Sequence, residues 1–176
     1  TSGSIEWVQV FGGTGDDYGF GIDVDSNDNI IVAGRFSESL MIGADNLVSA
    51  GDRDIFLAEL APDGTPTWAK SFGGTGIDQS EDLRVQQNDD IVLLAAISDS
   101  VDFGGGPLVS AGLRDIAVVT FDGDGNHVWS NSWGDALDQL ETDEENAWLS
   151  MRLDDAGNIY VADDAETYAF SGAEWP

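Results

Sequence analysis

The stretch Trp7-Val-Gln-Val-Phe-Gly-Gly-Thr-Gly15 returns 61 residues later as Trp68-Ala-Lys-Ser-Phe-Gly-Gly-Thr-Gly76, and a weaker copy begins at Trp129. A second block, Ser49–Ile55, returns at the same spacing as Ser110–Ile116. Two blocks that share one spacing indicate a tandem array of a single unit. A unit of this length repeats because its hydrophobic faces are covered by its neighbours.

The chain is strongly acidic, with 34 Asp and Glu against 6 Lys and Arg in 176 residues and a formal net charge of -28. A phosphate-binding surface needs clustered cations, so nucleic acid and anionic membranes are excluded as expected partners. The longest apolar run, Ile91–Ile97, is far shorter than the roughly 20 residues that cross a bilayer, so no membrane insertion is expected. The sequence has no cysteine, which excludes disulfides and thiolate metal sites.

Each unit contains stretches of β-branched and aromatic residues that are bounded by turn residues, and no window has a helical period. The predicted strands of the first unit are Tyr18–Asp25, Asn29–Phe36, Asp54–Leu60 and Thr67–Phe72. Those of the second are Glu81–Gln86, Asp90–Ile97, Asp115–Phe121 and Asn126–Trp133. Those of the third are Ala147–Leu153, Asn158–Ala162 and Thr167–Phe170, and a leading strand is predicted at Ile5–Phe11. The long connection between the second and third strands of a unit predicts a small additional hairpin.

The second strands indicate how the sheets are arranged. Ile91–Ile97 is apolar without alternation, as is Ile30–Gly34, and a continuous apolar strand in an antiparallel sheet is covered on both faces. Four-stranded sheets stacked on each other are the blades of a β-propeller. We therefore predict an all-β fold of about three four-stranded antiparallel sheets forming a partial β-propeller. The blades are expected at about 12–72, 73–133 and 134–176, and the last is incomplete or is completed by strand 5–11. The tryptophans are expected to be packing anchors of the fourth strands.

These motifs resemble the SBBP-type β-propeller repeat of bacterial secreted and surface proteins. The matching residues are the two Phe-Gly-Gly-Thr-Gly blocks, the hairpin Ile22–Gly34, the Ser-Ala-Gly-x-Arg-Asp-Ile blocks, Asp63-Gly64 before Trp68, Val101–Leu108 and Trp133–Gln139. The resemblance covers nearly the whole chain and implies propeller blades and an extracellular or cell-surface location. Its motifs describe turns and packing, and it implies no catalytic residues.

The third unit departs from this pattern, because about 7 residues are inserted in the acidic stretch Asp135–Glu145. Three blades do not close a ring, since propellers have 4 to 8. Two readings remain: the chain is a mature or excised piece of a larger protein, which we favour, or its copies assemble through open blade edges.

One turn has the residues of a metal site. Asp122, Asp124 and Asn126 alternate with glycine, and alternating oxygen ligands can converge on Ca²⁺. The bidentate Glu of a calcium loop is missing, so a plain β-turn is the alternative. The acidic insertion is a second place where cations can bind, or it is a solvated loop. Ca²⁺ is the only cofactor that the sequence suggests.

No set of residues indicates catalysis. His127 lies on a predicted strand and has no serine in a nucleophile motif nearby, so we expect a structural role. We predict a non-catalytic extracellular repeat module for binding, adhesion or assembly, with a protein or carbohydrate partner. Two alternatives are a self-assembling subunit of a fibre or ring, and part of a propeller enzyme such as a lyase or a quinoprotein-like dehydrogenase.

Overall fold

The computed structural model describes residues 3–134, 149–162 and the backbone of 167–170. These residues form sixteen strands and no helix, which confirms the predicted all-β class. The strands of the first sheet are β2 (Asp17–Val24), β3 (Ile30–Phe36), β6 (Asp54–Leu60) and β7 (Pro66–Phe72). Those of the second sheet are β8 (Gln79–Val85), β9 (Ile91–Ile97), β12 (Asp115–Phe121) and β13 (His127–Trp133). Those of the third sheet are β14 (Ser150–Leu153), β15 (Ile159–Ala162) and β16 (Thr167–Phe170).

The remaining strands include the two small hairpins that were predicted between the second and third strands, and one short strand that precedes β2 and pairs with the first of these hairpins. They are β1 (Gly12–Gly13), β4 (Ser39–Ile42) and β5 (Asp45–Val48) beside the first sheet, and β10 (Ser100–Asp102) and β11 (Pro107–Val109) beside the second. Every pairing between these named strands is antiparallel, and each large sheet follows chain order, as β2-β3-β6-β7, β8-β9-β12-β13 and β14-β15-β16.

The sequence repeat is also a repeat of the backbone. Ile30 pairs with Leu60 in the first sheet, and Ile91 pairs with Phe121 in the second, at equivalent positions. The first strand of each of the first two sheets has a β-bulge at the same place, between Gly19 and Gly21 in β2 and between Ser80 and Asp82 in β8. Since bulges re-aim the side chains around them, equivalent bulges keep equivalent residues on equivalent faces.

The three large sheets stack face to face, with the second in the middle. One core lies between the first and second sheets and includes Ile31, Leu57, Leu93 and Val119. Another lies between the second and third sheets. Every residue of β9 is buried, as its unbroken apolar sequence predicted. In β3, Ile30 and Val32 are only half-buried, because no large sheet in the described part of the chain covers the outer face of the first sheet.

The predicted leading strand Ile5–Phe11 is not observed. Residues 3–11 have no strand assignment, and regular pairing begins with β1 at Gly12, which pairs with Met41. A strand requires a neighbour to accept its backbone hydrogen bonds, and no described strand pairs with 3–11.

Candidate functional site

An open groove runs across the outer face of the first sheet. Its volume is about 450 Å³, which is within the usual range of ligand sites. Its walls are mostly apolar, with Asp17 and Gln9 among the few polar residues. The exposed fraction is 44% at Tyr18, 40% at Phe20 and 66% at Ile22. Monomeric soluble proteins rarely expose contiguous apolar surface of this kind, which makes the groove the candidate site.

The repeat shows what this face lacks. Ile22 of β2 is equivalent to Leu83 of β8, which is fully buried because it packs against Gly21 of the first sheet. Val32 of β3 is likewise equivalent to the buried Leu93 of β9. The same positions are therefore covered in the second sheet and open in the first.

Residues 3–11 lie along the outer part of the groove. Trp7, Gln9 and Phe11 line it, and the Trp7 Nε1–H donates to the Pro62 carbonyl oxygen at 3.0 Å. The Trp7 ring lies against Gly64, where an added Cβ would be 2.9 Å from the indole. In the second sheet the Trp68 ring lies against Gly125 with the same 2.9 Å approach. Trp7 and Trp68 thus share the packing against a turn glycine, although the buried Trp68 Nε1 has no counterpart of the Trp7 hydrogen bond.

A buried cation lies behind the aromatic part of the groove. Arg35 of β3 is 3% exposed, and its guanidinium lies 4.8 Å from the Tyr18 ring centroid and 5.4 Å from that of Phe20. Its Nη1 donates to the Gln79 Oε1 on the second sheet, and the Gln79 amide donates to Glu81 Oε1. This chain of contacts fixes the two rings beside β2 and β8, the edge strands of the first two sheets.

Glu81 is the titratable end of this network. Burial raises the pKa of its carboxyl to about 7, and the hydrogen bond from Gln79 and the charges of Arg114 and Arg35 oppose the rise. Its charge therefore changes near neutral pH, unlike that of an ordinary glutamate.

The predicted calcium residues lie together in the turn between β12 and β13. Asp122 Oδ1 accepts the backbone N–H groups of Asp124 and Asn126 at 3.1 and 2.8 Å, and Asp122 Oδ2 accepts the Asn126 side-chain amide. The Lys70 Nζ donates to the Asp124 carbonyl at 2.9 Å, the Gly125 carbonyl at 2.6 Å and Asn126 Oδ1 at 3.3 Å. Protein donors hydrogen-bond the oxygens that Ca²⁺ would need, so Lys70 and Ca²⁺ would compete for this turn.

The same turn chemistry occurs elsewhere without a lysine. Asp25 accepts the backbone N–H of Asn29, and Asp154 accepts that of Asn158. These are Asx turns, in which an aspartate closes a hairpin. Ca²⁺ at Asp122 stays a prediction.

The other sequence-based candidates divide into two groups. His127 contacts Ser130 Oγ through its Nε2 at 2.9 Å and packs against Gly105, as expected of a structural residue. The acidic insertion residues Asp135, Asp138, Glu141, Asp143, Glu144 and Glu145 lie outside the described residues.

One pattern in the sequence indicates the groove. Phe20, Ile22 and Val24 alternate on β2, which is typical of a strand with one apolar face exposed to a partner. Tyr18 faces Arg35 only through the register of β2 with β3, which the sequence alone does not give. The contacts of Arg35 with Gln79 and of Lys70 with 124–126 join residues 44 to 56 positions apart and have no local signature.

Comparison with known proteins leaves the fold and the groove as the basis for function. The sequence matches no protein-family model, and no curated protein is significantly similar to it. In the part of the chain that the structure describes, no helix has the length and apolarity to cross a membrane.

Proposed function

We propose that the chain is a non-catalytic, extracellular repeat module of β-propeller blades that acts by binding a partner through the open face of its first sheet. The observation that carries this proposal is the contrast between Ile22, 66% exposed, and its buried equivalent Leu83. A sheet face with the composition of a packed core is a binding surface.

Three features support propeller-type blades. The sheets are meanders in chain order, they stack through both faces of the second sheet, and the turn between the third and fourth strands packs under a tryptophan at equivalent positions. The resemblance to SBBP-type repeats agrees with this arrangement. It also supports the extracellular location.

The groove chemistry favours a neutral partner. The exposed rings of Trp7, Tyr18 and Phe20 offer stacking surface, while the net charge of -28 repels anions over a distance of about 10 Å. A neutral carbohydrate or an apolar protein surface meets both conditions. The aromatic rings are the specific observation in favour of carbohydrate.

The two alternatives make different use of the same face. A fibre or ring subunit would bury it against another copy. A lyase or quinoprotein-like enzyme would need a catalytic set in an enclosed pocket, whereas this groove is open and its few polar residues include Asp17 and Gln9. The proposal therefore treats the face as a docking surface.

A matched pair of variants tests the proposal. Ile22→Glu places a charge in the groove, and Leu113→Glu places the same charge at a site with a similar exposed fraction, 68%, in the loop before β12. Binding of neutral gluco-, manno- and chito-hexaoses, and self-association of the chain, are measured by calorimetry and sedimentation. We expect Ile22→Glu to weaken the binding that the chain shows by at least tenfold and Leu113→Glu to leave it unchanged. Cleavage of any hexaose, or equal effects of the two variants, would contradict the proposal.

A further inference from the structure

Residues 3–11 occupy the place of a fourth strand. The fourth strand of the first sheet, β7, packs Trp68 and Phe72 against the second sheet. Its Lys70 donates to the 124–126 turn of that sheet. One repeat earlier, Trp7, Gln9 and Phe11 line the groove on the first sheet. Segment 5–11 therefore lies on the first sheet as β7 lies on the second.

The outward residues of this segment support the comparison. Val8 and Val10 point away from the groove and are 70% and 85% exposed. The equivalent of Val8 in β7 is Ala69, which packs beneath the β4–β5 hairpin in a core with Leu40 and Phe56. The equivalent of Val10 is Ser71, which is half-buried. Val8 and Val10 thus have the character of residues in a completed sheet, but among the described residues no strand pairs beside them.

The third sheet has the complementary gap. Its strand order is β14-β15-β16, and no described strand pairs with the outer edge of β16, where the first two sheets have β7 and β13. The third sheet packs on one face of the second sheet and the first sheet packs on the other. Segment 5–11 and β16 of one chain are therefore separated by two sheets, so they can pair only between chains.

We propose that the partner of the open face is a second copy of this chain, joined head to tail. Segment 5–11 of one copy adds to β16 of the next as its fourth strand, and the third sheet of that next copy covers the groove. This inference rests on the proposed function and names its partner as the apolar protein surface. The repulsion between two chains that each carry a charge of -28 falls as salt screens it, so the association should be favoured by salt. Main-chain pairing at an exposed sheet edge supplies the hydrogen bonds, and the apolar face supplies the buried area.

The repeat fixes the register of the new pair. In the first sheet Leu57 pairs with Lys70, Ala58 with Ala69 and Glu59 with Trp68. β16 pairs with β15 so that Phe170 occupies the place of Leu60. Carrying the pairing over places Gln9 opposite Thr167, Val8 opposite Tyr168 and Trp7 opposite Ala169.

The faces also fit. Within the chain Leu83 packs against Gly21, and the equivalent of Leu83 on the open face is Ile22. The equivalent of Gly21 in the third sheet is Ser150, which pairs with Ala162 as Gly21 pairs with Ala33. Ser150 is small and exposed, so it leaves room for Ile22 of the neighbouring copy.

Sedimentation velocity of the 176-residue chain at 0.3 M NaCl gives the first test. We expect dimers or larger species whose proportion rises with protein concentration. Ile22→Glu should weaken the association at least tenfold, whereas Leu113→Glu should leave it unchanged. A chain that stays monomeric at all concentrations overturns the inference.

Introduced cysteines test the register, since the chain has none of its own. Directly opposed antiparallel residues lie about 4.5 to 5.5 Å apart between Cα atoms, within the reach of a disulfide. On mild oxidation the double variant Val8→Cys with Tyr168→Cys should give covalent dimers and larger species on a non-reducing gel. Val8→Cys with Leu113→Cys is the control and should stay largely monomeric. Equal cross-linking of the two pairs, or a disulfide within one chain at 8 and 168, would overturn the inference.

The two proposals fail in different ways. If the chain stays monomeric but binds a hexaose, and Ile22→Glu abolishes that binding, the second copy is excluded as the partner. The proposed binding function would then still hold. If the chain associates but Ile22→Glu does not weaken the association and the cysteine pairs cross-link equally, both proposals are contradicted.

Discussion

At the scale of single residues, Gly21 decides how closely the first two sheets approach. A Cβ at this position would lie 2.6 Å from the Leu83 Cβ and 3.1 Å from the Leu83 backbone nitrogen. Neither atom is at the end of a flexible side chain, so the sheets would have to separate. Gly19, two residues earlier on the same strand, has nothing within 4 Å of its added Cβ.

The two glycines form a matched pair for mutation. We expect Gly21→Ala to lower the free energy of unfolding by about 1 to 3 kcal/mol, since overpacking a tight interface strains it. Gly19→Ala should change it by less than about 1 kcal/mol, because Ala fits there and restricts the unfolded chain. Urea unfolding followed by tryptophan fluorescence measures both. Equal losses would show that the approach of Leu83 does not limit this interface.

Glu81 should make stability depend on pH. The folded pKa of about 7 lies above the ordinary value of 4.5, so between these values the folded state holds more protons than the unfolded state. Its contribution is therefore present below about pH 4.5 and is lost as pH rises to about 7. We expect the melting temperature of Glu81→Gln, relative to the parent, to increase across this window.

The control for Glu81 is an aspartate with the opposite shift. The backbone N–H of Thr65 holds the pKa of Asp63 below its usual value, so that carboxyl is ionised in both states across the window. Asp63→Asn should give an offset in melting temperature that stays constant from pH 5 to 7. If the melting temperature of Glu81→Gln also differs from that of the parent by a constant amount across this range, Glu81 is not the cause of the pH dependence.

At the scale of elements, the turn between β12 and β13 is held by the chain's single lysine, which is contributed by β7 of the neighbouring sheet. Lys70→Met removes a donor from three oxygens in residues 124–126. We expect a loss of about 1 kcal/mol in the free energy of unfolding, with partial recovery in Lys70→Arg.

The same variant addresses calcium. With the ammonium gone, the oxygens of Asp124, Gly125 and Asn126 are available, so millimolar Ca²⁺ should raise the melting temperature of Lys70→Met more than that of the parent. A parent chain whose melting temperature falls on addition of a chelator would show instead that Ca²⁺ binds with Lys70 present. Identical calcium responses of the two chains would exclude the competition.

Most strands follow from local sequence, but one edge does not. β6 and β12 begin and end at the predicted residues, because each starts at an aspartate after a glycine-containing turn and continues as an apolar run. β8 begins at Gln79, two residues before its prediction. Its polar start, Gln-Ser-Glu-Asp, has no strand signature, and the strand exists there because Gln79 and Ser80 pair with Ala96 and Ala95.

The site was less accessible to sequence reasoning than the fold. Arginine is rarely buried, so the 3% exposure of Arg35 was not foreseen, and it depends on rings and an amide brought together by two sheets. Segment 5–11 was predicted as a strand because it repeats the fourth strand of the first unit, and the repeat does describe which of its residues line the groove. Whether this segment forms a strand depends on a neighbouring strand to pair with, and the local sequence does not show whether such a strand is present.

At the scale of the whole molecule, the charge of -28 opposes compaction and association. Salt screens such repulsion, with a Debye length that falls from about 30 Å at 0.01 M to about 3 Å at 1 M. We expect the melting temperature to rise between 0.01 and 0.5 M NaCl, and to rise less at pH 4, where many carboxyls are protonated. Differential scanning calorimetry measures this, and a melting temperature that is independent of salt at pH 7 would contradict it.

The position of Lys70 has a practical consequence. Amine-directed dyes, biotin esters and aldehyde fixatives find one lysine side chain in this sequence, and its nitrogen donates to three oxygens of a turn on the neighbouring sheet. Acylating that amine abolishes its charge and pushes a bulky adduct between the sheets. Surface immobilisation and imaging of this protein should therefore proceed through an engineered thiol.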